Sequence, residues 1–351
     1  MAATSGSTHR GSLERVGSAL VGWLQVASKY LATPLCSPAA LDRLLALGVH
    51  LPGDCQGVLE VHLGEGGGAV DLSVRIEKPG QARRMAEQPL PRQLRDFLIR
   101  WSEAEGPFSA IPCVWLEFDL DRPVAGLPIP SVCTRLPRGS DQDWIVESLL
   151  PALYGERLSA ARTGLVRRCH GEIPEEGILL YVFGLLSRPE NPVRMEIYGL
   201  DPAGALAYLN RVAPQSVPSL AEIAPLFEGI ERPHLSFDIG REILPRVGLE
   251  GSFARQREPR WTELLARLVT HGLCTPEEKD AILAWPGYDT FWTAAADWPL
   301  EQAGMRGFCV RNLSHVKVVA QPGRAPEAKV YLPVSYVTGA NSPARRSVLS
   351  T

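Results

Sequence analysis

Charge of one sign is what this chain most plainly lacks. Its 36 lysines and arginines stand against 39 aspartates and glutamates, a formal net charge of −3 over 351 residues. No global basic field points to nucleic acid and no Lys/Arg run to a membrane surface, so any anion site must be local. Patterned cysteine is missing too. Cys36, Cys55, Cys113, Cys133, Cys169, Cys274 and Cys309 form no CxxC or CxH pair. That reads as reduced thiols in a cytoplasmic protein, not as a disulfide frame or zinc site. No run is long and apolar enough to span a bilayer. In place of a signal-peptide core, Leu13, Val16, Leu20, Trp23, Leu24, Ala27, Tyr30 and Leu31 carry the spacing of a core-facing helix. Gly64-Glu65-Gly66-Gly67-Gly68 has neither the GK[ST] nor the following helix of a phosphate loop, and no nucleophile elbow occurs.

What is present is globular: 45% apolar and 21% charged residues, in a length that fits one large domain or two ordinary ones. A unit of helices followed by two strands recurs. Ser37-Pro38 caps a helix to Leu47, and strands Val58–Leu63 and Val70–Glu77 follow across the glycine-rich loop. One helix around Pro91–Trp101 precedes strands Val114–Leu120 and Ser131–Arg135. Helical segments from Asp143 to Arg168 precede Ile178–Leu186 and Val193–Tyr198. Asp201-Pro202 caps another helix, Ser219 with Glu222 reads as a capping box, and His234–Ile239 leads to a weak return strand near Val247–Phe253. Trp261–Val269 and a helix opened by Thr275-Pro276 introduce the last hairpin. The second strands end near Glu77, Leu136, Tyr198, Arg255 and Ser335, steps of about 60 residues with a longer last one, the mark of an internal repeat. The expected organisation is a disordered tail over 1–12, a single repeat domain over 13–337 and a flexible tail over 338–351.

The last hairpin carries the clearest chemistry. His315-Val316-Lys317-Val318 and Lys329-Val330-Tyr331-Leu332 alternate polar and apolar residues around a Pro-Gly-Arg turn, the two-residue period of a half-buried strand. Five such hairpins would give ten antiparallel strands. Closing them into a ring removes all edges, puts the apolar parity under amphipathic helices and turns the polar parity inward. The reverse arrangement exposes the apolar parity at about 25 cal/mol per Å². The expected fold is therefore α+β: a closed ten-stranded antiparallel barrel with a polar lumen and an outer ring of helices. Its inward residues are His62, Asp71, Ser73, Arg75 and Glu77; Trp115, Glu117, Asp119, Cys133 and Arg135; Arg194, Glu196 and Tyr198; His234, Ser236 and Asp238; and His315, Lys317, Lys329 and Tyr331. Converging Arg and Lys side chains could hold a diphosphate by charge-assisted hydrogen bonds. Alternatively, they pair with neighbouring Glu and Asp as a structural network.

In this order of elements, about Leu13 to Tyr336, the chain resembles the ABBA-class aromatic prenyltransferases, whose barrels are built from α-α-β-β units. Lys329-Val330-Tyr331 is similar to the Lys-x-Tyr strand signature of the indole-type members, and Arg194 and Tyr198 are similar in type. The resemblance implies transfer of an isoprenoid group from an allylic diphosphate to an aromatic, indole-like, or peptide acceptor in the barrel. It implies a diphosphate held by Arg75, Arg135, Arg194, Lys317 and Lys329, with Trp115 and His315 as further substrate contacts. Tyr198 and Tyr331 would shield the allylic cation, and Glu117 would take the acceptor's proton. No cofactor is required, with Mg2+ as an optional addition, and no nucleic acid or membrane partner is expected. No DDxxD or NSE/DTE metal motif occurs. The lumen acids suit a cationic or amide-rich acceptor at one end. They also leave open acid–base chemistry such as cyclisation or hydrolysis, and a non-catalytic barrel that binds a small molecule or peptide. The aromatic stretch Trp285, Tyr288, Phe291, Trp292 and Trp298 reads as helix packing.

Overall fold

The computed structural model describes residues 20–31, 33–64, 67–103, 105–120, 126–230, 233–254, 258–290 and 307–338. The tail expected over 1–12 lies outside them, as does all but the first residue of that expected over 338–351.

Among the described residues, twelve strands follow in chain order: β1 (Gln56–His62), β2 (Val70–Ile76), β3 (Val114–Phe118), β4 (Ser131–Arg135), β5 (Ile178–Gly184), β6 (Val193–Tyr198), β7 (His234–Ile239), β8 (Ile243–Gly251), β9 (Gly287–Thr290), β10 (Gly307–Arg311), β11 (His315–Gln321) and β12 (Arg324–Thr338). Strands β1 to β8, β11 and β12 pair antiparallel with their neighbours, and β1 pairs back onto β12, closing a ten-stranded barrel. Its outward parity forms an apolar ring, interrupted only between β4 and β5, where Val132 meets Gly184 and Thr134 meets Val182. Leu59 pairs with Leu72, Val74 with Leu116, Leu116 with Val132, Val182 with Met195, Met195 with Phe237, and Phe237 with Val247. Leu249 then meets Val318, Val316 meets Val330, and Leu332 returns to Leu59. All are buried beneath helices. The two-residue period thus fixes both sides of the wall, since a one-residue slip would turn this whole ring into the lumen.

Each hairpin is preceded by helices, and the repeat is more regular than the sequence suggests. The second unit has two helices, Pro79–Ala86 and Arg92–Trp101, where the sequence points to one. Ser37 Oγ accepts from the Ala40 N–H at 3.2 Å and Asp201 Oδ1 from the Gly204 N–H at 2.7 Å, as expected of N-caps. Thr275 and Glu278 form a reciprocal capping box. The box expected at Ser219 and Glu222 does not form, because that helix already starts at Val217, which puts Ser219 inside its first turn.

One feature lies beyond the five hairpins. β12 runs 15 residues, longer than its barrel neighbours, and its far half pairs with β10, which pairs with β9. Trp23, on helix Val21–Ser28, stacks on Tyr336 with ring centroids 4.1 Å apart. The aromatic stretch is therefore only partly helix packing. Trp285, at the end of helix Pro276–Ala284, is buried and donates to the Asn312 carbonyl at 3.0 Å. Tyr288 stands exposed on β9, and Phe291, Trp292 and Trp298 fall outside the described residues.

Candidate active site

The inward parity encloses a cavity of about 490 Å³. Strand alternation delivers Arg75 from β2, Trp115 and Glu117 from β3, Arg135 from β4, Arg194 from β6, His315 and Lys317 from β11, and Lys329 and Tyr331 from β12 to its wall. Nine of the ten residues singled out from the sequence are thus brought together. Tyr198 is not among the residues lining the cavity. It is the last residue of β6, half-buried, with its ring edge-on to His234 at 5.0 Å, so it packs against a wall residue.

Most of the lumen cations are paired. Lys329 donates to Glu60 and lies 3.9 Å from Asp71, and Lys317 donates to Glu250. Arg194 grips Asp238 with two parallel bonds, Nε to Oδ1 at 2.7 Å and Nη2 to Oδ2 at 3.0 Å. Arg75 reaches Glu77 at 2.8 Å and lies 5.4 Å from the centre of the Trp115 ring. The structural network weighed from the sequence is therefore real for these four. Arg135 makes no ion pair among the described residues, and the Glu117 carboxylate has no ion pair or hydrogen bond among them either. Each faces the cavity with its charge uncompensated by a direct partner.

Sequence reasoning overlooked several wall residues. Glu60 sits on the inward parity of β1 beside His62, so its position was readable. Arg246 and Glu250 lie on β8, whose glycines blur its pattern, and Arg188 lies in the turn after β5. Tyr181 and Phe183 come from β5, whose run Ile178–Gly184 is too uniformly apolar to reveal an inward side. Inside the barrel Cys133, Phe183 and Leu185 pack with Trp115 and Tyr181 as a small apolar wall.

The charges are strongly coupled. Burial, then the nearby Glu60 carboxylate, pushes Glu117 up to about 7. Burial also opposes ionisation of Glu60, but the Lys329 ammonium prevails and holds it well below the usual carboxylate range. Glu250 falls to about 2 because Lys317, with His315 and His234, outweighs its burial. Burial depresses His315 to about 4, leaving it neutral at physiological pH. Burial and repulsion from Arg194 and Arg188 lower Arg246. Asp238 is held low, against its burial, by Arg194 first and then by Arg188 and Arg246. Three guanidiniums thus act on one buried carboxylate.

No protein-family model and no curated protein matches the sequence. Solved structures match it in fold. The prenyltransferase PriB in its apo form superposes with a TM-score of 0.53 at 15% identity, over 92% of this chain and 96% of that one. The 5-dimethylallyltryptophan synthase from Streptomyces coelicolor gives 0.53 at 13% identity, over 90% and 97%. By fold, this is a prenyltransferase barrel. AnaPT from Neosartorya fischeri agrees, with a TM-score of 0.50 at 10% identity over 90% and 92%. PriB has also been solved with L-tryptophan and dimethylallyl thiolodiphosphate bound.

In this prenyltransferase barrel Gly248 is an inward position kept bare for its neighbours. A Cβ there would sit 2.7 Å from Ser236 Oγ and 3.0 Å from Lys317 Cε. Gly248→Val should therefore displace the Lys317 stem and cost about 1–3 kcal/mol. Urea denaturation checks it, and an unchanged midpoint would mean that the lysine has another place to go.

Proposed function

We propose that the barrel transfers an isoprenoid group from an allylic diphosphate to an aromatic, indole-like, or peptide acceptor held in the same cavity. The observation that carries this reading is the closed lumen in which cations and aromatic faces share one cavity wall, in a fold shared with the prenyltransferases it superposes on. The allylic C–O bond breaks and its electron pair leaves with the diphosphate. Arg135, which has no carboxylate to satisfy first, binds that leaving group together with Arg75 and Arg194, and Arg188 and Arg246 add positive potential nearby. Lys317 and Lys329 help by keeping Glu250 and Glu60 from repelling the anion. Tyr331, Trp115, Tyr181 and Phe183 offer ring faces to the allylic cation, each worth about 0.5–2 kcal/mol. The acceptor atom then bonds to the cationic carbon and its proton passes to Glu117, whose pKa of about 7 matches that task. Tyr198 takes no part as a shield.

The reading is tested by thermal shift with dimethylallyl and geranyl diphosphate. Saturation at 100 times Kd should stabilise the protein by about 2.7 kcal/mol. Arg135→Gln should lose most of that shift without lowering the stability of the free protein, because no buried carboxylate is left alone. Indifference to every allylic diphosphate would sink prenyl transfer and favour acid–base chemistry at Glu117 or a binding barrel.

A further inference from the structure

We propose that Glu196, His234, Glu250 and His315 form a binding site for one divalent transition-metal ion on the cavity wall. The four come from β6, β7, β8 and β11, consecutive around the barrel. One ligand atom each from Glu196, His234 and Glu250 lies within 4.8 Å of the other two. Nε2 of His315 lies 3.5 Å from Oε2 of Glu250. Donors sharing one ion at about 2.0–2.2 Å stand at most about 4.4 Å apart, so Glu196, His234 and Glu250 need only small side-chain adjustments, and His315 adjoins them through Glu250. All four line the cavity, which leaves the ion an open side toward a bound molecule.

The surroundings fix the two imidazoles. His315 is stacked on Tyr331 with centroids 3.9 Å apart, and its Nδ1 is hydrogen-bonded to Ser314 Oγ at 3.0 Å. That leaves Nε2, which makes no hydrogen bond among the described residues, as the nitrogen turned to the carboxylates. His234 is held by the edge of Tyr198 and by Glu196, with Nδ1 2.5 Å from Oε1. The Ser314 and Tyr198 contacts are outer ones of the kind that orient metal-binding histidines. The proton between Nδ1 and Oε1 passes to solvent when the ion enters. This gives the ring of Tyr198, removed from the cavity lining, a positioning role.

A second cluster shows the contrast. Glu60, His62 and Asp71 are equally close to one another, but the Lys329 ammonium contacts both carboxylates there. That cation already sits where an ion would. At the proposed site Lys317 bonds Oε1 of Glu250 and no other member of the set among the described residues. Two imidazoles with two carboxylates favour Fe2+, Co2+ or Zn2+ over Mg2+, which prefers an all-oxygen shell.

The site stands apart from prenyl transfer, since binding is read directly. Untagged, chelator-treated protein is dialysed against Co2+ or Zn2+, and bound metal is counted by elemental analysis. Visible d–d absorption reports the Co2+ environment. One ion per chain is expected, with nitrogen-ligated Co2+ spectra. Loss is expected in His234→Ala and in the volume-conserving Glu196→Gln, and a 10–100-fold weakening, roughly, in Ser314→Ala. His62→Ala, at the lysine-filled cluster, should bind as the parent does. Circular dichroism of each metal-free variant separates lost binding from lost fold. Substoichiometric uptake by the parent, or uptake unchanged in folded Glu196→Gln, would overturn the assignment.

Discussion

Glu117→Gln is expected to lower kcat by about 10²–10⁴-fold while leaving diphosphate binding intact. The carboxyl is raised to about 7 by burial and by Glu60, so it must lose its proton to act as a base. Turnover of the parent should therefore rise with pH and level off above about 7. The variant should lose that limb. Stability runs the other way. A folded pKa above the ordinary 4.5 means that the folded protein holds the proton more tightly. The group therefore destabilises increasingly as pH climbs from the unfolded value to about 7, and fully beyond it. Glu117→Gln should raise the melting temperature at alkaline pH and leave it unchanged in acid. Steady-state rates and calorimetry across pH check both halves. A variant that keeps the pH-dependent limb would move the base to another residue.

Arg194→Ala should be the most destabilising of the cavity substitutions, costing about 3–5 kcal/mol, because it strands the buried Asp238 without its bidentate partner. The parent pair has a defined pH signature. Asp238 is depressed below its ordinary 3.8, so its contribution is present above that value and is lost as pH falls through the folded pKa. In the variant, burial of an unpaired carboxylate raises that pKa, so stability should instead improve on acidification. Arg194→Met with Asp238→Leu should recover most of the loss while still failing to respond to an allylic diphosphate. If Arg194→Ala melts with the parent, Arg188 and Arg246 suffice to hold Asp238.

Legibility in the sequence followed pattern strength. Where alternation is strict, as in His315–Lys317 and Lys329–Tyr331, strand and inward direction can be read from the sequence. Where glycine or uniform apolarity blurred it, information was lost. The sequence starts β8 late, near Val247, which leaves out Arg246, and its glycines hide the side that Glu250 takes; β5 gives no sign of Tyr181 and Phe183. Tyr198 had the right parity but lay at the strand end, which parity cannot reveal. β9 and β10 left no usable trace, since a short strand is supported by its partner and not by its own composition.

The sequence alone determined the barrel and the direction of its faces, because a two-residue period with an apolar side admits one economical burial. Which cations stay free was decided only by the tertiary structure. Ion pairing depends on ångström separations across strands distant in sequence, as between Lys329 and Glu60 or Arg194 and Asp238. It also depends on the low dielectric of the lumen, which lifts Glu117 and leaves His315 neutral. Neither quantity is written in the order of residues along one strand.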